Sequence, residues 1–409
     1  MERKLLTLRD FNISQSTNIV EVAEDFQTYI DQQTRYGVKS YWIESTSNVG
    51  SVIALEGIDG VASAFISNDY LGLSQHPATK MAGIEAIEKY GTGACAAQAI
   101  GGYLDIQSEL ERKIASFVGQ EEAILFSSGF GANAGFLRAI LGKNDVVYMD
   151  AFIHKSASSG IVGTNVKNIG HNKPDYLDNI LSHSHEYNTR AVIIDGVYSQ
   201  DGDLSMLPQY IEVCKKHNAI LIMDDAHGIG VMGDNGRGTA EYFGMLGQVD
   251  VITGTFSKSF GCVGGFVAGS HKLIQYLRYY ADTNVFSAAI SPQTTASVSK
   301  AIDLIRECPE LRKKLWDNVE YLRKKLIDSG FDIGYSVSPI FPIMVRDNDK
   351  VYKIAAELQK RAIFVSGIAY PAVRTKEARL RVSILASHKK WQLDYLVNSL
   401  CEIRKSIPF

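Results

Sequence analysis

The chain has 409 residues, 45% of them hydrophobic and 21% charged, and a formal net charge of -3. That balance excludes the electrostatic footprint of a nucleic-acid-binding protein, and no basic stripe with interleaved aromatics runs along the chain. The length suits a large core and two domains, at roughly 100 to 200 residues per domain.

In chain order, the first ten residues carry a hydrophobic patch too short and too charged for a signal peptide. Residues 18 to 36 set Ile19, Val22, Phe26 and Ile30 at helical spacing, with Gly37 as the stop. From Tyr41 to Ile66 scattered apolar residues among Ser, Asn and Gly predict short strands and turns. An alternation then begins. Helical patterns at 76–89, 105–118, 131–141, 174–182, 207–217 and 238–245 interleave with apolar runs at 123–126, 146–149, 191–194, 220–223 and 249–253. Such repetition predicts an α/β fold, a mostly parallel central sheet with helices on both faces. After Ser291-Pro292 a long helical stretch, 293–329, ends near Gly330. Shorter elements follow at 340–345, 352–360, 380–384 and 391–403. The expected organisation is an N-terminal helix with short strands (1–65), a large domain (66–290) and a smaller C-terminal α+β domain (291–409). No apolar run approaches the ~20 residues that span a bilayer. The cysteines, Cys95, Cys214, Cys262, Cys308 and Cys401, form no Cys-x-x-Cys pair, which fits reduced thiols in a cytoplasm.

In an open α/β sheet, ligands gather beyond the carboxyl ends of the strands. After Phe126 comes a glycine-rich turn, Ser127 to Gly135, whose backbone N–H groups and following helix can cradle a phosphate. After Met149 come Asp150 and His154; after Ile194, Asp195 and Ser199; after Met223, Asp224, Asp225 and His227. After Thr253 comes Lys258, one lysine among small hydroxyl residues and glycines. Each has a plain alternative: a strand-end Asp caps a helix, a single His is a satisfied polar residue, and a loop lysine is solvated. Asp224 follows a buried apolar run, where a carboxylate needs a cationic partner. A phosphate loop, an acid, two histidines and a lysine at successive strand ends suit pyridoxal 5'-phosphate. That cofactor needs a lysine for its Schiff base, a carboxylate for its ring nitrogen, a ring face and a helix N-terminus. A rival is the dinucleotide fold: Gly129, Gly131 and Gly135 make G-x-G-x-x-x-G and Asp150 follows about twenty residues on. Rossmann domains, however, usually begin with that pattern, and here it falls in mid-sheet.

The ordered motifs Ser67-Asn-Asp-Tyr-Leu-Gly-Leu, Phe126-Ser-Ser-Gly-Phe-Gly-Ala-Asn, Asp195-Gly-Val-Tyr-Ser-Gln-Asp-Gly, Asp224-Asp-Ala-His, Thr255-Phe-Ser-Lys-Ser-Phe-Gly and Leu380-Arg-Val-Ser resemble those of the α-oxoamine synthase family of fold-type I pyridoxal phosphate enzymes. The resemblance covers nearly the whole chain. It implies a decarboxylative condensation of an α-amino acid with an acyl-CoA that leaves an α-aminoketone. It implies Lys258 as the cofactor's lysine and the base for the α-proton, Asp224 at the ring nitrogen, His154 stacked on the ring, and His227 on the phenolic oxygen with Ser199 nearby. Ser128, Gly129, Phe130, Thr255 and Ser257 would hold the phosphate, joined by Ser287 from the other subunit of a homodimer with shared sites. Asn68, Tyr70 and Arg381 would receive the substrate, an arginine fork suiting its carboxylate.

The chain departs from the family's pattern where many members have Gly-Ser-Arg after Gly91-Thr-Gly93; here stand Ala96, Ala97 and Gln98. Losing a charge near the acyl-CoA entrance points to a neutral, medium or long acyl chain and a small amino acid such as serine or alanine. A sphingoid-base or signalling-aminoketone product is therefore expected ahead of the biotin and threonine-catabolism branches, which stay as alternatives. Another fold-type I activity such as an aminotransferase, an NAD(P)-binding oxidoreductase and a non-catalytic partner subunit are the remaining rivals; the presence of Lys258 counts against the last.

Overall fold

The computed structural model describes residues 18–34, 41–184 and 186–409. The expectations for the first ten residues and for Gly37 fall outside them. The strands, in chain order, are β1 (Val52–Ile53), β2 (Ala62–Ala64), β3 (Glu122–Phe126), β4 (Val146–Met149), β5 (Asn165–Asn168), β6 (Arg190–Asp195), β7 (Ile220–Asp224), β8 (Val251–Thr255), β9 (Gly265–Gly269), β10 (Ile340–Met344), β11 (Ile363–Phe364), β12 (Ser366–Ile368) and β13 (Arg379–Ser383).

Contacts divide the chain into two compact units, Asn68–Leu315 and the remainder: the described residues up to Ser67 together with Trp316–Phe409. The larger unit holds a seven-stranded sheet in the order β3-β9-β8-β7-β6-β4-β5. Neighbours from β8 to β5 pair in parallel, and β9 runs antiparallel to both β3 and β8. Its central strands are continuous apolar runs because both faces are covered by helices. Ile124, Val147, Ile193, Ile222, Val251 and Val267 pack with Phe136 and Leu137 of helix Gly129–Ile140 and Ile274 and Leu277 of helix His271–Tyr280.

Several elements differ from the sequence reading. The glycine turn follows the edge strand β3, not a mid-sheet one, because β9 inserts between β3 and β8. β9 itself escaped notice because Gly-Phe-Val-Ala-Gly continues a glycine-rich stretch, and β5 because Asn-Val-Lys-Asn is a polar edge strand. The predicted helix at 238–245 is only Thr239–Tyr242, and Gly244 with φ 67° follows its end. The predicted helix at 293–329 is two, Pro292–Glu307 and Pro309–Asp328. Pro309 pushes Cys308 out of helical geometry, to φ -118° and ψ 67°, and opens the second helix at a position where no N–H is needed.

The division also falls at 315/316, not near 290. Helix Pro292–Glu307 packs on helices Pro77–Tyr90 and Asp105–Val118 of the larger unit. In the smaller unit β2 pairs antiparallel with β1 and parallel with β11, so the N-terminal strands join the C-terminal segment. Phe65 stacks on His388 at 4.6 Å, and the Phe65 carbonyl accepts from Ser383 N–H. A second sheet, β10-β13-β12, is antiparallel, with β13 in the middle.

Candidate active site

Because β3, β4, β6, β7 and β8 all run the same way, their carboxyl ends lie along one edge of the sheet. A cleft of about 280 Å³ opens there. Ser128, Gly129, Phe130, His154, Ser199, Asp224, His227, Thr255, Ser257 and Lys258 all line it. Five separate strand-to-loop junctions thus deliver the predicted residues to one place.

Asp224 ends β7 and is buried. Its carboxylate accepts from Asn133 Nδ2 at 2.7 Å and from the Ala226 N–H at 3.0 Å. The second proton of the Asn133 amide goes to Ser156 Oγ at 2.9 Å, and Ser156 Oγ lies 2.7 Å from His154 Nδ1. His154 Nδ1 also caps helix Lys155–Gly160 by accepting the Ser156 N–H. An acceptor at Nδ1 places the imidazole proton on Nε2. Burial lowers the His154 pKa, and Lys258 lowers it further against the opposing pull of Asp224. A neutral ring suits a stacking face. Sequence reasoning missed Asn133 and Ser156; both lie inside helices, where nothing local marks them as partners of an acid or a histidine.

Lys258 is carried by the loop between β8 and β9. Phe256 and Phe260 on either side are fully buried, and the Phe256 ring packs on Phe260 and Phe266. Backbone bonds from Gly261 N to Lys258 O and from Cys262 N to Phe256 O close the turn. The buried aromatics therefore fix the backbone while the lysine lines the cleft.

The same cleft is lined by the start of helix Gly129–Ile140, whose N-cap Ser128 accepts from Gly131 N–H at 2.9 Å. The first N–H groups of a helix lack intrahelical acceptors and attract anions. Glycine is required at this start: a Cβ on Gly129 would meet Thr255 Cβ at 2.7 Å, and one on Gly265 would meet Gly129 Cα at 2.5 Å. Thr255 Oγ1 donates to Gly264 O and lies 2.8 Å from Ser257 Oγ.

Four expected residues, Asn68, Tyr70, Ser287 and Arg381, are not among those that line the cleft. Tyr70 is fully buried, its hydroxyl 2.8 Å from His227 Nδ1 and 3.3 Å from Asn68 Oδ1. The Ser67-to-Leu73 motif and His227 are thus directly linked. Ser287 Oγ meets Ser127 Oγ of the same chain at 3.3 Å, one residue before the N-cap. Arg381 belongs to the smaller unit, buried on β13, where Nη1 donates to Ser383 Oγ at 2.8 Å.

Residues 64–400 match the family described as aminotransferase class I and II. A serine palmitoyltransferase of Sphingobacterium spiritivorum is 39% identical over 83% of this chain and 86% of its own. An 8-amino-7-oxononanoate synthase of Alkaliphilus metalliredigens is 40% identical over 81% and 85%. A solved serine palmitoyltransferase, with pyridoxal phosphate as internal aldimine, superposes with a TM-score of 0.90 at 28% identity, covering 95% of this chain and 99% of the other. The chain belongs to the α-oxoamine synthase family.

Members of the α-oxoamine synthase family are pyridoxal phosphate-dependent acyltransferases, and the fold here is that of fold-type I. The residues present fit the cofactor. The glycine cradle at Gly129 leaves room at a helix N-terminus, a buried carboxylate is held by two donors, and a lysine faces the same cleft.

Two loops of this α-oxoamine synthase cleft are tied together by His171. Its Nδ1 donates to Asp150 Oδ1 at 3.0 Å, on the loop that carries His154, and its Nε2 donates to Asp203 Oδ2 at 2.8 Å, beyond Ser199. Burial pulls the imidazolium pKa down, but Asp150 and Asp203 more than offset it, and it rises to about 9. A pKa raised by folding stabilises fully below the unfolded value of 6.5 and is lost as pH rises through 9. His171→Gln is therefore expected to cost up to about 3 kcal/mol in the acid part of that range. The gap from wild type should narrow in urea titrations as pH rises from 6.5 toward 9 and change little above it; a gap independent of pH would show that His171 is not charged.

Proposed function

We propose that the protein condenses a small α-amino acid with a neutral, medium- or long-chain acyl-CoA, releasing CoA and carbon dioxide and leaving an α-aminoketone. The observation that carries the acyl preference is the surroundings of Gln98. Its Oε1 accepts from Asn284 Nδ2 at 2.9 Å and its Nε2 donates to Gln107 Oε1 at 3.4 Å. Asn284 is anchored in turn to Leu125 O, and Gln107 to Ile290 O. The amide where the family often has an arginine is thus engaged by neutral groups. A carboxylate-ended chain gains no counter-charge from it, and an unpaired buried carboxylate is costly.

Pyridoxal 5'-phosphate, when bound, supplies an electron sink for the carbon that loses its α-proton. Lys258 Nζ takes that proton, since a desolvated lysine amine is a competent base. Asp224 keeps a negative charge for the ring nitrogen, braced by Asn133 and Ala226. His154, with its proton on Nε2, offers a donor to the thioester carbonyl and a flat face to the ring. Ser128, Gly129, Phe130, Thr255 and Ser257 hold the phosphate, and His227 with Ser199 takes the phenolic oxygen. The family resemblance assigns the substrate to Asn68, Tyr70 and Arg381. The same reading makes the protein a homodimer in which Ser287 of the partner subunit reaches the phosphate. Phe286 beside it is 88% exposed, which leaves apolar surface for a second copy. No helix among the described residues is long and apolar enough to cross a membrane, and all five cysteines are free, which supports a cytoplasmic enzyme.

The test is a competition among acyl-CoA thioesters read by mass spectrometry. A neutral medium or long chain is expected to exceed pimeloyl-CoA in kcat/KM by roughly tenfold or more. The highest value for pimeloyl-CoA would overturn the argument from Gln98. A keto acid formed without any acyl-CoA would instead identify an aminotransferase.

A further inference from the structure

We propose that Asp195 rests protonated beside Asp224, so that the floor of the cleft carries one negative charge and not two. The two residues end adjacent parallel strands, and Asp195 is the register partner of Asp224. Parallel neighbours in register project to the same side of a sheet, and both residues line the cleft. Asp195 is 3% exposed and Asp224 7%. Water cannot screen two charges placed so.

Their surroundings differ. Asp224 accepts from the Asn133 amide and the Ala226 N–H. Asp195 has the His154 backbone N–H against its carboxyl, while its Oδ1 meets no hydrogen-bond partner among the described residues. One acid is built to be an anion and the other is not. Among the described residues, the charged groups that act on Asp195 are Asp224 on β7, Asp150 at the end of β4 and Lys258 from the loop after β8, two acids against one cation, with the phenol of Tyr198 a further titratable neighbour. Burial and then Asp224 push the Asp195 pKa well above its ordinary range, with Lys258 opposing. Two adjacent carboxylates that share a site ionise one at a time, and here the better-solvated partner keeps the charge.

Asp195 is therefore a positioning residue. Held neutral, it leaves Asp224 as the single anion of the floor, the state in which a carboxylate supports a protonated ring nitrogen. That role rests on the pyridoxal phosphate reading, whereas the protonation itself belongs to the protein without cofactor and can be measured there.

A carboxyl whose pKa folding raises holds a proton that the unfolded chain gives up above 3.8. Unfolding near neutral pH must release it, and stability must fall as pH rises from 3.8 toward the folded value. Asp195→Asn keeps the shape of the protonated acid and removes this linkage. Calorimetry of the cofactor-free protein at about pH 7, in buffers of different ionisation enthalpy, should count about one proton fewer released per chain in the variant. Its Tm should exceed the parent's near pH 8, with the difference vanishing toward pH 4. Asp225, whose pKa lies at about 7, contributes to both proteins, so the difference isolates Asp195. An unchanged proton count together with a lower Tm near pH 8 would overturn the proposal, because Asp195 would then be ionised. Asp195→Ser gives the same count if the asparagine variant does not fold. One proton fewer in a variant whose parent binds no pyridoxal phosphate would uphold the protonation and reject the cofactor reading.

Discussion

Lys258→Ala is expected to fold as the parent does, to lose kcat by roughly a thousandfold or more, and to acquire no pyridoxyl group when reduced with borohydride. The parent, reduced in the same way, should carry that group on the peptide containing Lys258. The fold should survive because the loop is held by Phe256 and Phe260, both buried, and by backbone bonds that do not involve the lysine side chain. Activity should not survive, because on the proposed reading the amine both holds the cofactor and takes the α-proton, and no other lysine among the described residues lines the cleft. Peptide mapping after reduction decides the matter. A pyridoxyl group on another lysine, or a variant with near-parental turnover, would remove Lys258 from the centre of the chemistry.

Much of this site was legible because an α/β sheet gathers its strand ends. An apolar run followed at once by Asp224, by His154 four residues beyond Asp150, or by Lys258 among glycines announces a side chain delivered to the open edge. What stayed hidden depends on pairings between distant segments. Asn133 lies within a helix and looks like any polar helical residue, yet its amide joins Asp224 to Ser156. Tyr70 was assigned to substrate through its motif, while its bond to His227 crosses 157 residues. The N-terminal strand β2 finds its partner β11 near the other end of the chain, so composition could not reveal that the first and last segments form one unit. Pro309 was visible as a helix breaker, but matching helical patterns on either side of it masked the break. The edge position of β3 followed from β9, whose glycines read as turn and not as strand.

Asp224→Asn should retain cofactor yet lose exchange of the substrate α-proton by roughly a thousandfold or more. The phosphate cradle at Gly129 and the amine of Lys258 do not depend on the charge of Asp224, so binding and borohydride labelling should persist. The asparagine keeps the size of the side chain, and its amide oxygen can still accept from Asn133 or Ala226. What it cannot do is hold a negative charge toward the ring nitrogen, and a ring left unprotonated there withdraws electrons poorly. Proton exchange in deuterated water, with the amino acid alone and no acyl-CoA, isolates that loss from later steps. The variant also separates two roles for the same carboxylate. If exchange falls while cofactor content holds, the charge itself is what the reaction uses. If exchange stays near the parental rate, Asp224 is only a brace between Asn133 and the turn at Ala226, and the acid required by the chemistry must be sought elsewhere in the cleft.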